Sequence, residues 1–136
     1  MDIGYRDTFF RGESLAKAAD AFLRVLPVDV QGLLCTGSSG CAIASAMLTR
    51  RCKLFSLYVY KDECAGERKH TANEYAGSRS SARKWAIVDD VIDTGGTVRR
   101  LLKFAREHGL VVDCIIVGRV VSCNSSDGVY IPVLEA

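Results

Sequence analysis

Trp85-Ala86-Ile87-Val88-Asp89-Asp90-Val91-Ile92-Asp93-Thr94-Gly95-Gly96-Thr97 runs from an apolar stretch, through two adjacent carboxylates, into a glycine pair flanked by threonines. The first four residues have the length and content of a buried strand. Val98, Leu101, Leu102 and Ala105 follow at helical spacing, with His108 and Gly109 closing that helix as a C-terminal cap. His108 is expected to be a helix-end cation and not a ligand. Two neighbouring negative charges at a sheet edge cost energy unless something positive or hydroxylated meets them. A hydrated metal ion or the vicinal hydroxyls of a sugar would serve. Gly95 and Gly96 let the backbone approach closely and turn its N–H groups outward. The helix N-terminus adds about half a positive charge, and the two threonines add hydroxyls. That is a cradle for a phosphate monoester, placed about one ribose from the acids. A strand-to-helix turn capped by Asp and Thr accounts for an isolated Asp-Thr-Gly, but not for this whole run.

Moving outward, the chain alternates helix and strand. Leu15, Ala18, Ala19, Phe22 and Leu26 form one helical face between Gly12-Glu13-Ser14 and Pro27. Gly32-Leu33-Leu34-Cys35-Thr36 reads as a short buried strand ending in a Gly/Ser cluster. Residues 42–50 read as an alanine-rich helix, and 54–60 as an aromatic and aliphatic strand. Residues 61–84 are polar, charged and nearly free of aliphatic side chains, which predicts a long functional loop. A strand or two is expected within 111–121, and a last short strand at 129–134 with Pro132 marking an edge. Buried strands alternating with helices predict an α/β fold, a parallel sheet covered by helices on both faces. Ligands of such sheets bind beyond the carboxyl ends of the strands, where loops 37–40 and 93–97 should meet.

Composition narrows the alternatives. With 136 residues, one domain spanning 1–136 is expected. Hydrophobic residues make up 49% and charged residues 25%, as in an ordinary globular protein. A net charge of +2 is too weak a field to imply nucleic acid or a membrane surface as partner. No apolar run approaches the ~18 residues of a membrane span, and the N-terminus lacks the pattern of a secretory signal, so a cytoplasmic protein is expected. The cysteines at 35, 41, 52, 64, 114 and 123 form no CxxC pair and no zinc spacing. They are expected to be thiols in a reducing compartment, with Cys35 and Cys114 acting as small buried hydrophobes.

The run from Val88 to Thr97 resembles the phosphoribosyl pyrophosphate signature of the type I phosphoribosyltransferases. The likeness extends to the segment from Val28 through Cys35-Thr36-Gly37-Ser38-Ser39-Gly40, which resembles the family's earlier strand and pyrophosphate loop. Tyr60-Lys61-Asp62-Glu63 and Arg68-Lys69-His70 resemble the basic start of its flexible catalytic loop. Order and spacing agree from about residue 15 to about residue 119, and the flow is loosely that of the orotate enzymes.

The resemblance implies a Rossmann-like phosphoribosyltransferase fold and specific roles. Asp89 and Asp90 would face the ribose hydroxyls and the shell of a Mg²⁺ cofactor. Asp93 would lie nearest the base and handle its proton. Thr94, Gly95, Gly96 and Thr97 would hold the 5′-phosphate. Thr36, Gly37, Ser38, Ser39 and Gly40 would bind pyrophosphate through backbone N–H groups, often with a strained non-proline cis peptide. Lys61, Arg68, Lys69 and His70 would close as a basic lid, stabilising leaving-group charge and excluding water. The expected partners are phosphoribosyl pyrophosphate and a nucleobase or nucleotide, and a second copy of the chain in a homodimer. Tyr5, Phe9, Phe10 and Tyr130 are the candidates for base contact in a minimal hood.

The leading expectation is therefore an enzyme transferring a 5-phosphoribosyl group to a base, releasing pyrophosphate. Its rival is a regulator that binds phosphoribosyl pyrophosphate or a nucleotide without turnover. A sugar-phosphate isomerase-type domain would explain loop 37–40 but not the acidic run. A serine hydrolase elbow at Ser39 fails because position 41 is Cys, and no GxxxxGK[ST] run is present.

Overall fold

The computed structural model describes residues 12–51, 56–60, 73–77, 84–92, 96–120 and 130–132. In chain order these form α1 (Gly12–Val25), β1 (Gly32–Cys35), α2 (Gly37–Leu48), β2 (Ser56–Tyr60), β3 (Asn73–Gly77), β4 (Trp85–Ile92), α3 (Gly96–Glu107), β5 (Val112–Val120) and β6 (Tyr130–Pro132). One six-stranded sheet has the order β3-β2-β1-β4-β5-β6. All neighbours pair in parallel except β2 and β3, which pair antiparallel. The α/β architecture expected from the sequence is present.

Strand alternation sorts the core onto two faces. Leu33, Cys35, Ala86, Val88 and Ile116 pack with Ala18, Ala19 and Phe22 of α1 and Ile43, Ala44 and Met47 of α2. Leu34, Trp85, Ile87, Ile115 and Val117 pack with Val98, Leu101, Phe104 and Ala105 of α3 on the other side. Burial of each large aliphatic or aromatic side chain contributes about 1.5–3 kcal/mol, so both faces hold helices firmly. Trp85 is fully buried and occupies the space beside Gly32, its partner across β1 and β4. A Cβ at Gly32 would lie 2.5 Å from the indole ring.

Helix ends follow local chemistry. The amide of Leu26 still bonds the Phe22 carbonyl, and Pro27, which has no N–H, comes next. At the end of α3, Gly109 takes φ +68 and Leu110 N–H donates to the Ala105 carbonyl, the six-to-one bond of a glycine-terminated helix. His108 stacks on Phe104 and its Nδ1 lies 3.0 Å from the Phe104 carbonyl, in keeping with a helix-end role.

Three expectations need correction. The helix placed at 42–50 is α2, and it begins at Gly37, so the glycine-serine loop at 37–40 is its first turn. Ser and Gly disfavour helix interiors, but at a helix start the free amides they leave are unpaired in any case. The segment 61–84 is not loop throughout, because β3 pairs with β2 from Ser56↔Gly77 to Tyr60↔Asn73. An edge strand has one partner only and tolerates polar residues, so its composition resembles a loop. Cys114 is half-buried and not fully enclosed; burial and the nearby Asp113 push its thiol up to about 11. Within 111–121 the described residues form one strand, β5, and β6 with Pro132 is a sheet edge as expected.

Candidate phosphate and sugar site

The chain leaves β1 through α2 to β2 on one side, then returns to β4 on the other side of β1. Neighbouring connections thus diverge between β1 and β4, which opens a crevice beyond their carboxyl ends. A cleft of about 300 Å³ lies there, lined by Thr36, Gly37, Ser38, Ser39, Gly40, Asp89, Asp90, Thr97 and Arg100.

The β1 side of the cleft is built by a sharp entry into α2. Thr36 is extended, with φ −149 and ψ 158, and its side chain makes no capping hydrogen bond. Gly37 then takes φ +74, a conformation that L side chains rarely adopt. The first-turn amide donors of α2 are therefore not consumed by a side-chain cap, and they point along the helix axis where an anion is favoured. Gly40 lets this turn approach β4 closely. A Cβ there would stand 3.3 Å from the Val88 carbonyl oxygen and 3.5 Å from Asp89 Oδ1. None of the described peptide bonds is cis, so the glycine at positive φ makes the turn without the cis bond that the family resemblance implied.

The β4 side supplies the acids. Asp89 and Asp90 are still within the strand, not in the loop after it. Asp89 is only 7% exposed, and its Oδ1 accepts a hydrogen bond of 2.8 Å from the Asp90 amide. Burial, then the adjoining Asp90 carboxyl, pushes the Asp89 carboxyl up to about 8. Asp90 is the more accessible of the two. Ser39 and Asp89 are the buried polar side chains among the described residues, and both line this cleft. Burying a polar group is costly without compensation, so their co-location makes this cleft the candidate site.

The described residues thus bring together Thr36, Gly37, Ser38, Ser39, Gly40, Asp89, Asp90 and Thr97, all expected from the sequence. Gly96 begins α3 beside them. Asp93, Thr94 and Gly95, and the lid residues Lys61, Arg68, Lys69 and His70, lie outside the described residues. So do Tyr5, Phe9, Phe10 and the Tyr130 side chain. Arg100 was missed by sequence reasoning. It stands one turn after Thr97 on α3, and its Nη2 lies 3.5 Å from Thr97 Oγ1. The three-residue spacing from a cradle threonine, on the polar side of an amphipathic helix, was the available signal.

Among the described residues, no group of three or more His, Cys, Asp and Glu could hold a metal ion, and no helix is long and apolar enough to cross a membrane. Two adjacent carboxylates do suit Mg²⁺, which keeps several waters and takes its remaining oxygens from substrate phosphates.

No protein-family profile and no curated protein sequence matches the chain. Solved structures do. An orotate phosphoribosyltransferase of Mycobacterium tuberculosis H37Rv is similar at 14% identity and a TM-score of 0.76, covering 95% of this chain and 77% of that one. An adenine phosphoribosyltransferase of Saccharomyces cerevisiae is similar at 16% identity and a TM-score of 0.61, covering 86% and 75%. The UMP synthase of Leishmania donovani is similar at 22% identity and a TM-score of 0.58, covering 78% of this chain. The chain spans 21% of the length of that synthase. The sheet order, the crevice between β1 and β4 and these likenesses agree: the chain has the fold of the type I phosphoribosyltransferases.

Proposed function

We propose that the protein is a Mg²⁺-dependent phosphoribosyltransferase, moving 5-phosphoribosyl from phosphoribosyl pyrophosphate to a nitrogenous base. The observation that carries this reading is the meeting, in one cleft, of the α2 first turn with the Asp89–Asp90 pair and Thr97. An anion-binding turn, a diol-binding acidic pair and a hydroxyl at a second helix start match the three parts of that substrate: pyrophosphate, ribose and 5′-phosphate. The phosphoribosyltransferase names of the similar structures support it.

In this reading, backbone N–H groups of residues 37–40 hold the pyrophosphate, and the α2 dipole favours its charge. Thr97 and the start of α3 hold the 5′-phosphate. Asp90 accepts from a ribose hydroxyl, and Asp89 fixes the Asp90 backbone through the bond to its amide. Asp89 and Asp90 would hold hydrated Mg²⁺, which when bound would supply positive charge toward the pyrophosphate. Lys61, Arg68, Lys69 and His70 lie on the 61–72 connection between β2 and β3, and act as the lid. Asp93 handles the proton of the base. A homodimer working in the cytoplasm completes the proposal.

The test is incubation with phosphoribosyl pyrophosphate, Mg²⁺ and a panel of purine and pyrimidine bases while pyrophosphate release is followed. Release that depends on both a base and Mg²⁺ supports the transferase. Tight binding without release with any base supports the regulator instead.

A further inference from the structure

Cys35 is the last residue of β1 and Cys41 lies in the first turns of α2, so the two bracket residues 36–40, the whole β1 side of the cleft. Their sulfurs are 3.4 Å apart, with the Cys35 thiol donating to Cys41 Sγ. Cys35 is completely buried and Cys41 is half-buried. The proposed transfer uses neither thiol. A disulfide needs its sulfurs at about 2.05 Å, so closure takes a movement of only roughly 1.3 Å.

We propose that Cys35 and Cys41 form a reversible disulfide that clamps the anion-binding turn. The oxidant is a low-molecular-weight disulfide. The Cys41 thiolate, the accessible member, attacks one sulfur of that oxidant, forming a mixed disulfide and releasing the first thiolate. Cys35, already in contact and held as a thiol by its bond to Cys41 and by burial, then attacks Cys41 Sγ and expels the second as its proton passes to that departing thiolate. Two protein thiols become one disulfide, the oxidant becomes two thiols, and the two protons pass to the departing thiolates. Cys35 never needs to meet the oxidant, which its burial forbids.

The consequence for the cleft follows from packing. A Cβ on Gly40 would already sit 3.7 Å from Cys35 Cβ and 3.3 Å from the Val88 carbonyl. Gly40 thus sits close against Cys35 and β4, so drawing Cys41 toward Cys35 shifts Ser39 and Gly40 relative to Asp89. The disulfide itself stands independently of the transferase reading; its effect on ligand binding rests on it.

The experiment uses reduced full-length protein, treated with oxidised glutathione, then unfolded, alkylated and cleaved with trypsin. Cleavage after Arg24 and Arg50 leaves both cysteines on fragment 25–50, which contains no other cysteine. The expected result is that this fragment loses both alkylation sites together and regains them after dithiothreitol. Two alkylated cysteines, a persistent glutathione adduct on Cys41, or a bond to a cysteine outside the fragment each overturns the proposal. In parallel, affinity for phosphoribosyl pyrophosphate with Mg²⁺ should fall at least about tenfold on oxidation and recover on reduction, with no such change in Cys41→Ala. Unchanged affinity in fully bridged protein overturns the clamp. If reduced wild type does not bind at all, the transferase reading falls and the clamp with it, while the peptide map still decides the disulfide.

Discussion

Replacing Gly40 by alanine separates ligand binding from folding. Gly40 lies in the first turn of α2 and does not adopt a positive φ, so an alanine fits the backbone. Alanine is favoured over glycine in a helix by about 0.5–1 kcal/mol. Against that gain, the new methyl would stand 3.3 Å from the Val88 carbonyl and 3.5 Å from Asp89 Oδ1, so the turn must give by a few tenths of an ångström. A contact that tight costs less than the ~1–3 kcal/mol of a full methylene forced into a core. The two effects nearly offset, and stability in urea should stay within about 1 kcal/mol of wild type. The ligand has no such compensation, because the methyl enters the close approach between the turn and the acids. Calorimetric affinity for phosphoribosyl pyrophosphate with Mg²⁺ should fall at least about tenfold, or ~1.4 kcal/mol. A Gly40→Ala protein that binds as tightly as wild type would refute the reasoning. So would one that unfolds, since Gly40 would then serve the core and not the cleft.

Other outcomes test neighbouring parts of the account. Asp89, held up to about 8, keeps its proton in the fold well above the pH at which an unfolded aspartate loses it. Its contribution to stability is full below about pH 4 and is lost as pH rises toward 8, so Asp89→Asn should flatten the pH dependence of the ligand-free melting temperature over that window. Parallel curves for variant and wild type would show that the buried carboxyl is not protonated. Gly32→Ala, with its methyl 2.5 Å from the indole of Trp85, should destabilise the fold by about 1–3 kcal/mol in urea unfolding; a neutral result would mean that Trp85 moves aside freely. If the basic lid acts on the transition state, Arg68→Ala or Lys69→Ala should cost about a hundredfold to a thousandfold in turnover while affinity stays within about tenfold. Turnover unchanged in both variants removes the lid chemistry and leaves the fold untouched.

Much of the fold was legible because its signals are local and strong. Leu33, Leu34, Ile87 and Val88 read as buried strands, and the structure buries each completely. The Ala18, Phe22 and Leu26 spacing read as one helical face, and that face packs on the sheet. The strand β3 was hidden because Asn73-Glu74-Tyr75-Ala76-Gly77 earns its place through pairing with β2, a nonlocal contact without a periodic signature. The start of α2 was hidden for a different reason: Gly37, Ser38 and Ser39 are poor helix formers that are at home in a first turn. Asp89 and Asp90 were legible as candidate site residues because charge directly after a buried strand is anomalous. Their inequality was not, because Asp89 differs from its neighbour through burial and a single backbone hydrogen bond. Arg100 escaped because a lone arginine on a polar helix face looks like any solvated charge.

In the proposed function, the crevice between β1 and β4 binds phosphoribosyl pyrophosphate through its acids and its anion-binding turn. Calorimetric titration of that ligand with Mg²⁺ into wild type and into Asp90→Asn tests it most directly. Asp90 is the accessible member of the pair, and its loss leaves the buried Asp89 in place. One site per chain is expected in wild type, with a loss of at least about tenfold in affinity in the variant, both proteins remaining folded. Absence of binding to wild type at millimolar ligand, or equal affinity in the two proteins, would contradict it.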